Sequence, residues 1–183
     1  MSLLIVASAY AFSGGRTGNS ETGCAPCHGS TAGPGTSVTI IGLPDPYEPG
    51  KNYSLTITVT SNVSGTGGGF DLSVSNGTLV VTDATNTQLM NGDLTHTAAG
   101  SGQRSWSFNW TAPPTDGDVT FYAAGLAADG DGGTSGDAWA IYSTVVIPEF
   151  PGVTLLLVLA AVTIVVLFFA KKMLPRVTIE RKI

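Results

Sequence analysis

The only two cysteines in 183 residues stand three positions apart and are followed at once by a histidine, in Cys24-Ala25-Pro26-Cys27-His28. Two thiols at this spacing can each add to one vinyl group of a haem, and the adjacent imidazole can turn to the iron. The C-x-x-C-H pattern therefore points to covalently attached haem c. Other chemistries use the same residues. An exported pair can close a disulfide, and a C-x-x-C redox pair usually sits at a strand-to-helix corner, for which no pattern exists here. Zinc held by both cysteines and two histidines would have to bend the neighbours Cys27 and His28 onto one tetrahedral ion. Haem is the leading expectation, and a Cys24–Cys27 disulfide is its rival.

A six-coordinate iron needs a second axial ligand besides His28. The only other histidine is His96, in Asp93-Leu94-Thr95-His96-Thr97, and Met90 competes with it. A bis-histidine centre leaves no open position at the iron, which favours single-electron transfer over catalysis; a Met/His pair would raise the potential. Phe70, Trp106, Phe108, Trp110, Tyr122 and Trp139 are aromatic candidates to wall a porphyrin, or to fill the core. Asp129, Asp131 and Asp137 lie in a glycine-rich loop that could bind Ca²⁺, although it lacks the glutamate that closes an EF-hand. No Ser/His/Asp triad, catalytic carboxylate pair or phosphate-cradling loop with its lysine can be assembled, so the chain is expected to be an electron carrier and not an enzyme.

The elements that must position these residues read as strands. Tyr53-Leu55-Ile57-Val59 alternates with Ser54-Thr56-Thr58-Thr60, and Trp106-Phe108-Trp110 alternates with Ser105-Ser107-Asn109-Thr111. Period two with one apolar face is the pattern of a half-buried strand. Further runs lie at Ser37–Leu43, Gly69–Ser75, Thr78–Thr82, Val119–Ala124 and Ala138–Ile147, separated by turn signals such as Asn76-Gly77, Asn91-Gly92 and Asp116-Gly117. About seven short strands with no helical pattern between them predict an all-β, immunoglobulin-like β-sandwich at 36–147, preceded by a flexible Gly-rich lead at 12–35 that carries the C-x-x-C-H motif.

The ends of the chain predict its location. Residues 1–11 read as a signal peptide, with a short apolar run and Ala9-Tyr10-Ala11 before Phe12. After a linker at 148–151, residues 152–170 are uncharged, close to the roughly 20 needed for a transmembrane helix. The tail, 171–183, has five basic residues and one acidic, whereas the chain up to Pro151 has three basic and twelve acidic. The basic side is expected to be cytoplasmic, with the body outside. Sequons at Asn52, Asn62, Asn76 and Asn109 agree with an exterior body. So few cations cannot neutralise a phosphate backbone, which argues against nucleic-acid partners.

Taken together, Gly15-Arg16-Thr17-Gly18, the C-x-x-C-H motif with Gly29, Leu94-Thr95-His96-Thr97, Trp106-Ser107-Phe108-Asn109-Trp110-Thr111-Ala112-Pro113 and Val119-Thr120-Phe121-Tyr122-Ala123-Ala124-Gly125 resemble the choice-of-anchor V domain family. That family is distantly similar to Reeler-type extracellular β-sandwiches. The resemblance spans about residues 14–147 and implies Cys24, Cys27, His28 and His96 as site residues and a C-terminal surface anchor. The acidic loop departs from it, since the family more often has Asn at the positions of Asp129 and Asp131. Pro148-Glu149-Phe150 with the apolar span and basic residues is similar to PEF-CTERM sorting signals of archaea, which implies cleavage by an archaeosortase and transfer to lipid. The tail is longer than such signals usually carry, so a simple membrane helix is the other expectation. The combined expectation is a membrane-anchored, cell-surface monohaem cytochrome that exchanges electrons with extracellular redox proteins. Any conducting array would require assembly of many copies. An adhesion or surface-coat module with a Cys24–Cys27 disulfide is the alternative.

Overall fold

A computed structural model describes residues 12–25, 27–29, 32–149 and 152–173, without the side chains of 152–155 and 173. The signal peptide expected at 1–11, Phe150 and Pro151 of the linker, and residues 174–183 of the tail lie outside the described residues. The chain forms two compact units, divided between Glu149 and Phe150.

The first unit is a β-sandwich of two antiparallel sheets. The strands are β1 (Ser37–Ile41), β2 (Asn52–Thr60), β3 (Gly68–Val74), β4 (Thr78–Val81), β5 (Thr87–Met90), β6 (Asp93–His96), β7 (Ser105–Thr111), β8 (Val119–Ala127) and β9 (Ala138–Val146). One sheet has the order β1-β2-β7-β4, the other β5-β6-β3-β8-β9. Alternation settles which face each strand buries: Leu55, Ile57 and Val59 of β2 point inward with Trp106, Phe108 and Trp110 of β7, while their serine and threonine neighbours face outward. The register pairs Leu55 with Phe108 and Ile57 with Trp106. The second sheet contributes Phe70, Leu72, Leu94, Phe121 and Ala123 to the same core. Each fully buried large side chain of this kind contributes about 1.5–3 kcal/mol relative to exposure.

Among the described residues the sandwich has nine strands where the alternation predicts about seven. The added pair, β5 and β6, is a four-residue hairpin closed by Asn91-Gly92, both with positive φ, 53° and 94°. That is the two-residue turn whose twist suits a tight hairpin. Unlike the apolar Leu79-Val80-Val81 of β4, Thr87-Gln88-Leu89-Met90 and Asp93-Leu94-Thr95-His96 mix polar and apolar residues over only four positions, so only their turn was legible.

The lead is also more ordered than its glycine content suggests. Its backbone lies on the five-stranded sheet: Asn19 N–H donates to Asp71 at 2.6 Å, Gly18 N–H to Asp93 at 3.3 Å, and the Ser20 and Ser73 hydroxyls meet at 2.8 Å. Further on, the Trp139 indole donates to the Gly29 carbonyl at 3.1 Å. Glycine serves close approach here. A Cβ on Gly23 would fall 2.0 Å from the Trp139 ring.

The second unit contains α1 (Gly152–Met173), a 22-residue helix whose described side chains are all exposed. It ends three residues beyond the apolar run read from the sequence, taking in Lys171 and Lys172. Among the described residues, no helix is long and apolar enough to cross a membrane; within α1 these side chains run from Leu156 to Lys172.

Candidate functional site

His28 N–H donates to the Cys24 carbonyl at 3.1 Å, which folds the two ends of the motif towards each other. Cys24, Cys27 and His28 line a cavity of about 280 Å³. Gly67, Gly68, Gly69, Phe70 and Asp71, at and before the start of β3, line it too, together with His96. Asp129 and Asp137 of the acidic loop also line it. All four haem-motif candidates therefore line one cavity, although Cys24 and Cys27 are far in sequence from His96. Met90, the competing ligand, is not among the lining residues.

The two histidines are held differently. His28 Nδ1 lies 2.7 Å from Asp137 Oδ2, and the Asp137 side chain is 2% exposed. With Nδ1 engaged by a carboxylate, Nε2 is the nitrogen available to a metal or ligand, the arrangement usual for metal-binding histidines. His96 is buried, and its Nδ1 accepts from Phe70 N–H at 3.2 Å. In the neutral ring that bond leaves the proton on Nε2. Burial holds the His96 pKa below the usual histidine value.

The thiols are both free. Cys27 receives an Arg16 N–H at 3.6 Å. Burial, with smaller contributions from the nearby Asp71 and Cys27 charges, pushes the Cys24 thiol up to about 12. Asp71 is 4% exposed; burial raises its carboxyl to about 6, and its Oδ1 has no hydrogen-bond partner among the described residues.

Of the aromatic residues proposed for a porphyrin wall, Phe70 lines the cavity, joined by Phe12. Trp106, Phe108 and Trp110 are core residues, and Trp139 supports the lead from beneath Gly23. The acidic loop is organised by its own backbone: Asp137 accepts from Asp129 N–H, Asp129 from Asp131 N–H and Asp131 from Gly133 N–H. Among the described residues no group of three or more His, Cys, Asp or Glu side chains is placed to hold a metal ion, which leaves the calcium reading of Asp129, Asp131 and Asp137 without a gathered ligand set.

No family model and no curated protein matches the chain. Solved reeler domains are similar to it. A crystal structure of the human F-spondin reeler domain (fragment 1) matches with 21% identity over 62% of this chain and 89% of that one, at a TM-score of 0.45. The Reelin-N domain of F-spondin matches with 22% identity over 63% and 86%, at 0.46.

Sequence reasoning missed the glycine floor, Asp71 and the role of Asp137. The strand run Gly69–Ser75 includes Gly69, but nothing in it shows that a Cβ there would fall 2.5 Å from His96 Cε1. Gly69→Ala should therefore push the buried imidazole aside and lower stability by about 1–3 kcal/mol, although alanine suits a strand at least as well as glycine. Chemical denaturation, with the His96 ring resonances as a local probe, checks this. An unchanged ring environment would show that the floor is not closed against His96.

Proposed function

We propose that this chain is a cell-surface, membrane-anchored c-type cytochrome that carries single electrons, built on an immunoglobulin-like sandwich of the choice-of-anchor V type. The observation that carries the reading is the common cavity of Cys24, Cys27, His28 and His96. Cys24 and Cys27 would hold the group through thioethers and His28 Nε2 would face the iron, with its ring oriented by Asp137. When bound, haem supplies a one-electron iron couple. At about 280 Å³ the cavity is slightly smaller than the roughly 300–1,000 Å³ typical of small-molecule sites. It would enclose part of such a group and leave an edge at the surface, where a protein partner can exchange electrons.

His96 would complete the site as distal ligand. For that its Nε2 must be free of the proton, so the ring must exchange its Nδ1 bond with Phe70 for a protonated Nδ1, or turn over in place.

Anchoring is supported by the sequence. Residues 152–170 are uncharged, close to the roughly 20 apolar residues that a helix in lipid needs. The lysines that follow would then favour a cytoplasmic tail and an exterior body. Archaeosortase cleavage near Pro148-Glu149-Phe150 would replace this helix by a lipid.

Expression with haem-maturation machinery tests the reading. A denaturant-resistant haem spectrum is expected, with low-spin character lost in His96→Ala while the covalent attachment survives. A colourless wild-type protein would end the proposal and favour the alternative, an adhesion module with Cys24 and Cys27 in a disulfide.

A further inference from the structure

Asp71 is a buried carboxylate that the electron-transfer reading does not use. It lies on β3, where it pairs with Thr95 of β6 and Ala124 of β8, and its side chain lines the same cavity as both thiols and both histidines. Oδ2 accepts the Asn19 N–H at 2.6 Å, which ties down the lead that bears Cys24 and Cys27. Oδ1 is buried and has no partner among the described residues. A buried acceptor without a donor is costly, and protonation of that oxygen reduces the cost by removing the charge.

We propose that Asp71 is the proton-coupling residue of the site: its carboxylate takes up one proton from solvent when the centre gains one electron, and releases it when the electron leaves. This rests on the haem reading above. The balance is one electron from a one-electron donor and one proton from water on reduction, with both returned on oxidation. An oxidised haem centre carries one more positive charge than a reduced one, and in a poorly solvated cavity that charge favours the ionised carboxylate.

The groups facing Asp71 do not replace it in this role. From β6, Asp93 adds negative charge that raises the Asp71 pKa further. From the lead, the Cys24 thiol is held neutral by burial and would be consumed by thioether formation, and the charge of Arg16 acts on that thiol in the opposite direction. His96, also from β6, is held below its usual pKa, and β8 presents only Ala124 opposite Asp71 in the register. Asp71 itself, raised by burial to about 6, titrates in the range where proton uptake matters.

The test uses the full-length, haem-loaded protein in detergent. The reduction potential is followed with redox mediators across the pH range around 6 in wild type, Asp71→Asn and Asp93→Asn. Asparagine keeps an oxygen for the Asn19 N–H, so the lead should stay docked. The potential of wild type and of Asp93→Asn should fall as pH rises through the Asp71 midpoint, and that of Asp71→Asn should be flat. A second readout needs no variant: the Asp71 carboxyl midpoint, measured by carbon NMR in wild type, should be lower in the oxidised than in the reduced form, because the coupling is reciprocal. Equal midpoints, or a pH dependence that persists in Asp71→Asn, would overturn the inference and leave the haem reading intact. A protein that retains no haem would overturn both.

Discussion

Trp110→Ala is expected to cost about 3–5 kcal/mol, the range found for truncating a large buried aromatic. Trp110 is 0% exposed and sits at the centre of an aromatic cluster. Its ring meets Tyr47 edge-on at 5.5 Å and Phe121 at 5.1 Å, and stacks on Tyr53 at 5.8 Å. Its indole N–H donates to the Asn76 carbonyl at 3.1 Å, across the Asn76-Gly77 turn between β3 and β4. Gly77, at φ 85°, is pressed so closely to this indole that a Cβ would lie 2.4 Å from its nitrogen. The alanine variant would lose three ring contacts and a hydrogen bond and leave a cavity that a tightly knit sandwich cannot collapse. Because domains are stable by only about 5–15 kcal/mol, it should be largely unfolded at moderate denaturant. Urea unfolding of the sandwich checks this; a loss below about 1 kcal/mol would mean that the cluster repacks.

Arg104→Ala should be the second most damaging change, at about 2–3 kcal/mol, since hydrogen bonds to a charged donor are worth more than neutral ones. The guanidinium spans the loop before β3 and the end of β8, donating to the carbonyls of Gly67 at 2.9 Å, Val63 at 3.0 Å, Ser64 at 3.3 Å and Ala128 at 2.9 Å. Water can replace only the outer of these bonds. Arg104→Lys should recover little, because an ammonium cannot reproduce the planar fork. Gly67 and Ala128 line the cavity, so the variant should also loosen the glycine floor. Amide exchange at Gly67–Phe70 should rise in Arg104→Ala well beyond the rise elsewhere in the sheet. Uniform exchange would show that Arg104 supports the sandwich without supporting the site.

The parts of the fold legible in the sequence are those with one wet face and one dry face. In β2 and β7 strict alternation revealed both the strands and their buried residues, down to Leu55, Ile57, Trp106 and Trp110. β5 and β6 were not legible as strands because, unlike the equally short β4 with its Leu79-Val80-Val81 run, they are mostly polar; β6 is placed by pairing with β3 and β5 by pairing with β6. The site divides the same way. Cys24, Cys27 and His28 announce themselves by local spacing. The partnership of His28 with Asp137 joins residues 109 positions apart, and nothing local in the acidic loop distinguishes Asp137 from Asp129 or Asp131. Asp71 was hidden for a related reason. On an alternating strand its neighbours Phe70 and Leu72 suggest an outward-facing polar residue, and only the lead lying across that face buries it. The lead in turn read as flexible because its glycines were taken as freedom, whereas Gly15 and Gly23 permit backbone contact with His96 and Trp139.

The intact mass of the mature chain, purified after coexpression with haem-maturation enzymes and measured under denaturing conditions, probes the role of Cys24 and Cys27 most directly. A covalent adduct of one haem, lost when both cysteines are replaced by serine, is the expected result. A mass lower by two hydrogens, with no adduct, would mean that the cysteines close on each other and that no porphyrin is carried.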